Sequence, residues 1–122
     1  EVSSKTQLSV LEINGPDISK YGVVLPGSEP GAVAGLVEKP DVDKAPSNLA
    51  SIGRYVLTSD IFDIIRNQSV GTGGEIQLAD AINTQAANNA VEAVILNGRR
   101  FDCGSVQGYL DAIIHLAEYR KH

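Results

Sequence analysis

Methionine is absent from the 122 residues, cysteine occurs once, and aromatic residues make up only 5%. With Cys103 alone, no disulfide can close within the chain, which suits a reducing cytoplasm. A chain without methionine that opens Glu1-Val2-Ser3 reads as a processed or truncated piece. The uninterrupted apolar stretches are short, so no segment is expected to span a membrane, and no signal-peptide layout opens the sequence. Lysine and arginine are scattered, with only Arg99-Arg100 and Arg120-Lys121 adjacent, and the formal net charge is −5. The basic patch that a general nucleic-acid surface needs is missing. No His/Cys/Asp set has zinc spacing, and without a G-x-S-x-G run a nucleophile elbow is unsupported.

Hydrophobic residues make up 43% and charged residues 20%, interspersed along the chain. That composition is an ordinary globular segment of one domain or part of one. Residues 1–20 are ambiguous: Leu8, Val10 and Ile13 alternate with polar neighbours, but Leu11 is out of phase. Asn14-Gly15-Pro16-Asp17 marks a turn. Tyr21 to Leu25, Val33 to Lys39 and Asn48 to Leu57 read as strands, the second stopped by Pro40. Ser59 is placed to cap a helix over Asp60 to Arg66. A second helix is expected from Glu75 to about Ala87, ended by Asn88-Asn89. Val91 to Leu96 reads as a strand, Asn97-Gly98 as a tight turn, Arg99 to Asp102 as a returning strand, and Ser105 as the cap of a last helix. Val106, Tyr109, Leu110, Ile113, Leu116 and Ala117 form that helix's apolar stripe. The expected order β, β, β, α, α, β, β, α is α/β material with a mixed sheet, because it does not alternate cleanly.

Three segments carry candidate chemistry. In Val37-Glu38-Lys39-Pro40, Glu38 and Lys39 would diverge within a strand and converge only at its end, where Pro40 turns the chain. A carboxylate there suits vicinal sugar hydroxyls and an ammonium suits a phosphate. The same residues also fit a solvated strand end. In Phe101-Asp102-Cys103-Gly104-Ser105, Asp102 is either a metal ligand at a sheet edge or an acidic partner of the helix dipole. Cys103 reads as a small buried residue rather than a nucleophile. Gly71-Thr72-Gly73-Gly74-Glu75 lacks the Gly-Lys-Ser/Thr end of a P-loop and reads as a helix-entry loop. His115, between Ile114 and Leu116, reads as a surface or half-buried residue.

Taken in order, the segments are specific. Tyr21-Gly22-Val23-Val24, Gly35-Leu36-Val37-Glu38-Lys39-Pro40, Ala45-Pro46-Ser47-Asn48-Leu49-Ala50, Gly53-Arg54-Tyr55-Val56-Leu57, Gly73-Gly74-Glu75-Ile76-Gln77-Leu78-Ala79-Asp80-Ala81-Ile82 and Gly98-Arg99-Arg100-Phe101-Asp102-Cys103-Gly104 follow one another. This series resembles the bacterial UTP–glucose-1-phosphate uridylyltransferases from about Ile18 to Arg120. Ala79 stands where that family usually shows threonine. The resemblance implies a Rossmann-like nucleotide-diphospho-sugar transferase fold, a mixed sheet with flanking helices, present only as its C-terminal portion. The family's G-x-G-T-R signature and the paired aspartates of its first half do not occur here. Residues 1–122 would then be the C-terminal sugar-phosphate-binding part of a single catalytic domain.

Carried over position by position, Gly22 would let backbone approach the glucose and Glu38 would accept its hydroxyls. Lys39 would bind the phosphate of glucose 1-phosphate, and Asp102 would be a Mg²⁺ ligand. The implied reaction is Mg-dependent uridylyl transfer from UTP to glucose 1-phosphate, giving UDP-glucose and pyrophosphate. It belongs to the full-length parent, a cytoplasmic homo-oligomer, and the chain alone is expected to be inactive. Catalysis would rest on positioning and charge neutralisation, since the attacking phosphate is already anionic. Two alternatives stand beside this reading. One is a nucleotidyltransferase using another base, such as dTTP. The other is a non-catalytic sugar-phosphate-binding or assembly module whose last helix supplies a subunit contact through Leu110, Ile113 and Leu116.

Overall fold

The computed structural model describes residues 3–70 and 74–121. Its strands are β1 (Thr6–Glu12), β2 (Gly22–Pro26), β3 (Val33–Glu38), β4 (Leu49–Val56) and β5 (Val91–Ile95). Its α-helices are α1 (Ile61–Arg66), α2 (Leu78–Ala87) and α3 (Val106–Tyr119). The sheet has the order β3-β2-β4-β1-β5. Only β1 and β5 run parallel, and the remaining pairs are antiparallel, so the sheet is mixed as the sequence pattern implies.

The segment that was ambiguous in sequence lies between β4 and β5. Leu8 and Val10 face α1 and α2 with Val24, Val33, Val91, Ile61, Ala81, Ile82 and Ala86 in the main core. Leu11 pairs with Ala50, which packs on the opposite face with Ile18 and Val23. Both phases of β1 therefore carry apolar residues, which is why its alternation is imperfect. Full burial of a side chain such as Leu8 or Ile82 contributes roughly 1.5–3 kcal/mol. A polar cluster seals the edge of this core. Thr6 Oγ1 donates to Gln85 Oε1 at 2.8 Å, and Gln85 Nε2 donates to Thr58 Oγ1 at 2.9 Å and Asp60 Oδ1 at 3.0 Å. It joins the start of β1, the end of β4 and α2.

Three expectations need correction. Arg99 to Asp102 is not a strand. The outer edge of β5 is already taken: Ala93 N donates to Gly31 O at 2.8 Å, and Ala32 bridges Glu92. α1 is not capped by Ser59; it begins at Ile61 with Asp60 at the N-cap, and that carboxylate serves Gln85 and Thr58 instead. α2 starts at Leu78, not Glu75. Gly74, at φ 77, holds the chain outside the helix, and the preceding Gly71-Thr72-Gly73 lies outside the described residues. Ser105 does cap α3, accepting from Gly108 N at 3.1 Å. The α3 stripe is nevertheless exposed, and none of the helix's residues is buried. Among the described residues, no helix is long and apolar enough to cross a membrane.

Candidate functional site

β2 and β3 stop short while β4 and β1 run on. Gly22, the first residue of β2, lies opposite Glu38, the last of β3, and opposite Ser51 in the middle of β4. Beyond that level the sheet is notched. A bulge in β4 shapes the notch: Val10 pairs with Ser51 and Leu8 with Tyr55, so two steps along β1 span four along β4. Gly53 sits in the bulge at φ 81, a left-handed conformation that a side chain would strain. Ser9 Oγ fixes the far side by donating to Arg54 O at 2.6 Å. The extra residues return Tyr55 to the face that Ser51 occupies, the face of α2.

The resulting cavity has a volume of about 220 Å³. Gly22, Ser51 and Glu38 line it beside Tyr55, Leu36 and Ala79 of α2. A Cβ on Gly22 would stand 3.1 Å from Glu38 Oε2, a tight contact that the carboxylate would have to yield to by a few tenths of an ångström. The edge strand β3 is held by α2: Leu36 N donates to Asn83 Oδ1 at 2.7 Å, two residues before Glu38. Lys39 lies at the rim. It is exposed and left-handed at φ 44, ahead of buried Pro40, and its N–H donates to Tyr21 O at 3.0 Å. A non-glycine residue in that region costs about 1–3 kcal/mol and is found disproportionately at functional sites. The expected turn at the strand end is therefore present, and it occurs at Lys39 itself.

Asp102 occupies a different loop, exposed, just ahead of α3. Its Oδ1 accepts from Gly104 N at 2.9 Å and its carbonyl accepts from Ser105 N at 3.4 Å. A Cβ on Gly108 would come within 1.9 Å of that carbonyl, so α3's first turn can close on Asp102 only over glycine. The carboxylate thus already organises the helix entry with one oxygen. Among the described residues no three His, Cys, Asp or Glu side chains gather as a metal cluster. Asp102 fits Mg²⁺ only as one ligand of a site completed by other groups, which agrees with that ion's habit of binding one or two carboxylates plus substrate phosphates.

Arg100 links the two regions. Its Nη1 donates to Tyr21 Oη at 2.8 Å, and its guanidinium carbon stands 5.0 Å from the ring centroid. Tyr21 precedes Gly22 and accepts from Lys39, so the Asp102 loop meets the notch through this tyrosine. The β2–β3 pairing brings Gly22 and Glu38 together, Lys39 adjoins them, and Asp102 is tethered through Arg100 rather than placed inside the cavity. Cys103, expected to be buried, is exposed because the turn projects it ahead of α3. His115 is half-buried as expected, its ring 5.3 Å from that of Phe101. Ser51 lies in none of the segments that carry the resemblance, and Tyr55 and Arg100 lie in two of them without an expected role. For the first two, the available signal was a glycine inside a strand pattern, which marks a bulge.

The nucleotidyl transferase family model matches residues 1–119. A UTP--glucose-1-phosphate uridylyltransferase of Pseudomonas aeruginosa is 47% identical over 111 residues, covering 88% of this chain and 39% of that protein. One from Haemophilus ducreyi is 41% identical over 115 residues, again covering 39% of its length. The chain thus spans about two fifths of the curated relatives it matches. Among solved structures, an apo UDP-glucose pyrophosphorylase superposes with a TM-score of 0.84 at 41% identity, over 95% of this chain and 44% of that one. A UDP-glucose pyrophosphorylase complexed with UDP-glucose gives 0.79 at 42% identity, over 97% and 45%.

Proposed function

Because the chain belongs to the nucleotidyl transferase family, we propose that it contributes the sugar-phosphate site of an enzyme transferring a uridylyl group from UTP to glucose 1-phosphate. The observation that carries this reading is the notch at the end of β2 and β3, where the Glu38 carboxylate lies against Gly22 and the chain turns at Lys39. The names of the similar proteins point to the same two substrates.

In this reading Glu38 accepts hydrogen bonds from sugar hydroxyls and fixes the ring in the notch. Lys39, exposed at the rim, neutralises the phosphate of glucose 1-phosphate and aims it outward. A phosphate oxygen then attacks the α-phosphorus of UTP; the new P–O bond forms as the α–β bridging bond breaks and pyrophosphate leaves. The nucleophile is anionic at neutral pH, so no side chain has to remove a proton, and rate enhancement comes from alignment and charge neutralisation. Asp102 would share in holding Mg²⁺, which offsets phosphate charge when bound. Arg100 and Tyr21 keep the Asp102 loop in register with the notch. Residues 1–122 form the C-terminal part of one catalytic domain, in a cytoplasmic homo-oligomer whose nucleotide-binding half lies outside this chain.

The direct test is product formation. The intact protein, given UTP, glucose 1-phosphate and Mg²⁺, should release UDP-glucose and pyrophosphate, and the 122-residue chain alone should release neither. Turnover by the isolated chain would refute the division of labour, and none from the intact protein would refute the activity.

A further inference from the structure

The Ser51 hydroxyl is buried and has no hydrogen-bond partner. Buried hydroxyls are paired in the great majority of cases, because leaving one unmade forfeits its hydration without return. Ser51 is half-buried beside the core residue Val10, and it is among the residues that line the cavity. In the sheet it stands directly beside Gly22, with Glu38 next across on β3. Its other strand partner, Val10, belongs to the core on the α2 face, and so does Val24, two residues along β2 from Gly22. The alternation of β2 and β4 therefore turns Ser51 toward the same face as the notch. Gly22 contributes no side chain that could pair with it, and Glu38's carboxylate is not bonded to it.

We propose that Ser51 is a specificity-determining residue of the sugar site, its Oγ completing a hydrogen bond to one hydroxyl of the bound hexose phosphate. This deepens the sugar-phosphate reading and rests on it. Glu38 and Ser51 flank Gly22 on either side in the sheet, so a ring laid over Gly22 meets an anionic acceptor at one edge and a neutral hydroxyl at the other. The carboxylate accepts only, whereas the serine both donates and accepts. A hexose lacking the matching hydroxyl would leave Ser51 unpaired again, the kind of loss by which a polar site rejects an analogue.

The test is calorimetric titration of glucose 1-phosphate and its 2-, 3-, 4- and 6-deoxy analogues into the intact protein and its Ser51→Ala variant, with thermal melting of both ligand-free forms. Ser51→Ala should melt at or above the wild-type temperature, since it deletes an unpaired buried hydroxyl. It should bind glucose 1-phosphate about two- to tenfold more weakly, the worth of one neutral hydrogen bond. Against one deoxy analogue the two proteins should bind equally, because the bond is already missing from the ligand side. Wild-type affinity for glucose 1-phosphate in the variant overturns the proposal. So does a uniform loss across all analogues, or a drop in melting temperature, either of which makes Ser51 a packing residue. If the wild-type protein does not bind glucose 1-phosphate, the sugar-phosphate reading itself fails, and that outcome is visible before the variant is compared.

Discussion

The sheet with α1 and α2 and the last helix solve the same problem in opposite ways. In the first region, Leu8, Val10, Ile61, Ala81 and Ile82 are at most 2% exposed and pack in one cluster between the sheet and the helices α1 and α2. In the second, Tyr109, Ile113 and Leu116 repeat with equal regularity, yet they are 55%, 47% and 58% exposed. The Ser105 cap and the close approach over Gly108 join α3 to its own entry loop, and the Arg100–Tyr21 contact ties that loop to the sheet. An amphipathic period thus creates a face, and only a partner surface turns that face into stability. The candidate site straddles the two regions, with Gly22 and Glu38 on the packed sheet and Asp102 at the entry of α3.

Truncating one isoleucine in each region separates the two. Ile82→Ala should lower the unfolding free energy of the chain by about 2–5 kcal/mol, through lost burial and the cavity left behind. Denaturant unfolding would measure it, and a loss below 1 kcal/mol would argue that α2 is not seated as described. An intermediate effect is expected where the regions meet. Asp102→Asn keeps an oxygen for Gly104 N, so the melting temperature should hold, while the intact enzyme needs more Mg²⁺ and loses about tenfold or more in kcat, roughly 1.4 kcal/mol of barrier. Unchanged activity and Mg²⁺ dependence would make Asp102 a helix-entry residue only. The smallest effect belongs to Ile113→Ala, expected within about 0.5 kcal/mol of wild type in the chain. A loss matching Ile82→Ala would mean that α3 is packed in solution.

What could be read from the sequence divides along the same seam. Strands β2, β3, β4 and β5 were legible within a residue or two, because Pro26-Gly27, Pro40 and the β-branched runs are local signals. Ser105 was legible as a cap because a serine ahead of an apolar period is a strong local cue. β1 was not, since a strand flanked on both sides by other strands and apolar on both faces loses its alternation at Leu11. The false strand at Arg99–Asp102 followed from Asn97-Gly98, a hairpin signal that fails when Gly31 and Ala32 already occupy the edge of β5. Within the site, Gly22, Glu38, Lys39 and Asp102 were named from motifs. Ser51 was not, and Tyr55 stood in a matching segment without a role, because their meeting depends on the Gly53 bulge and on the register of three strands.

In the proposed enzyme the notch and its rim hold the sugar phosphate and leave the nucleotide to another part of the protein. Separate titrations of glucose 1-phosphate and UTP into the intact protein and its Lys39→Ala variant test it most directly. Losing a charge-assisted phosphate contact worth about 1.5–3 kcal/mol should weaken glucose 1-phosphate roughly ten- to a hundredfold and leave UTP within about twofold. Equal losses for both ligands, or none for glucose 1-phosphate, would contradict it.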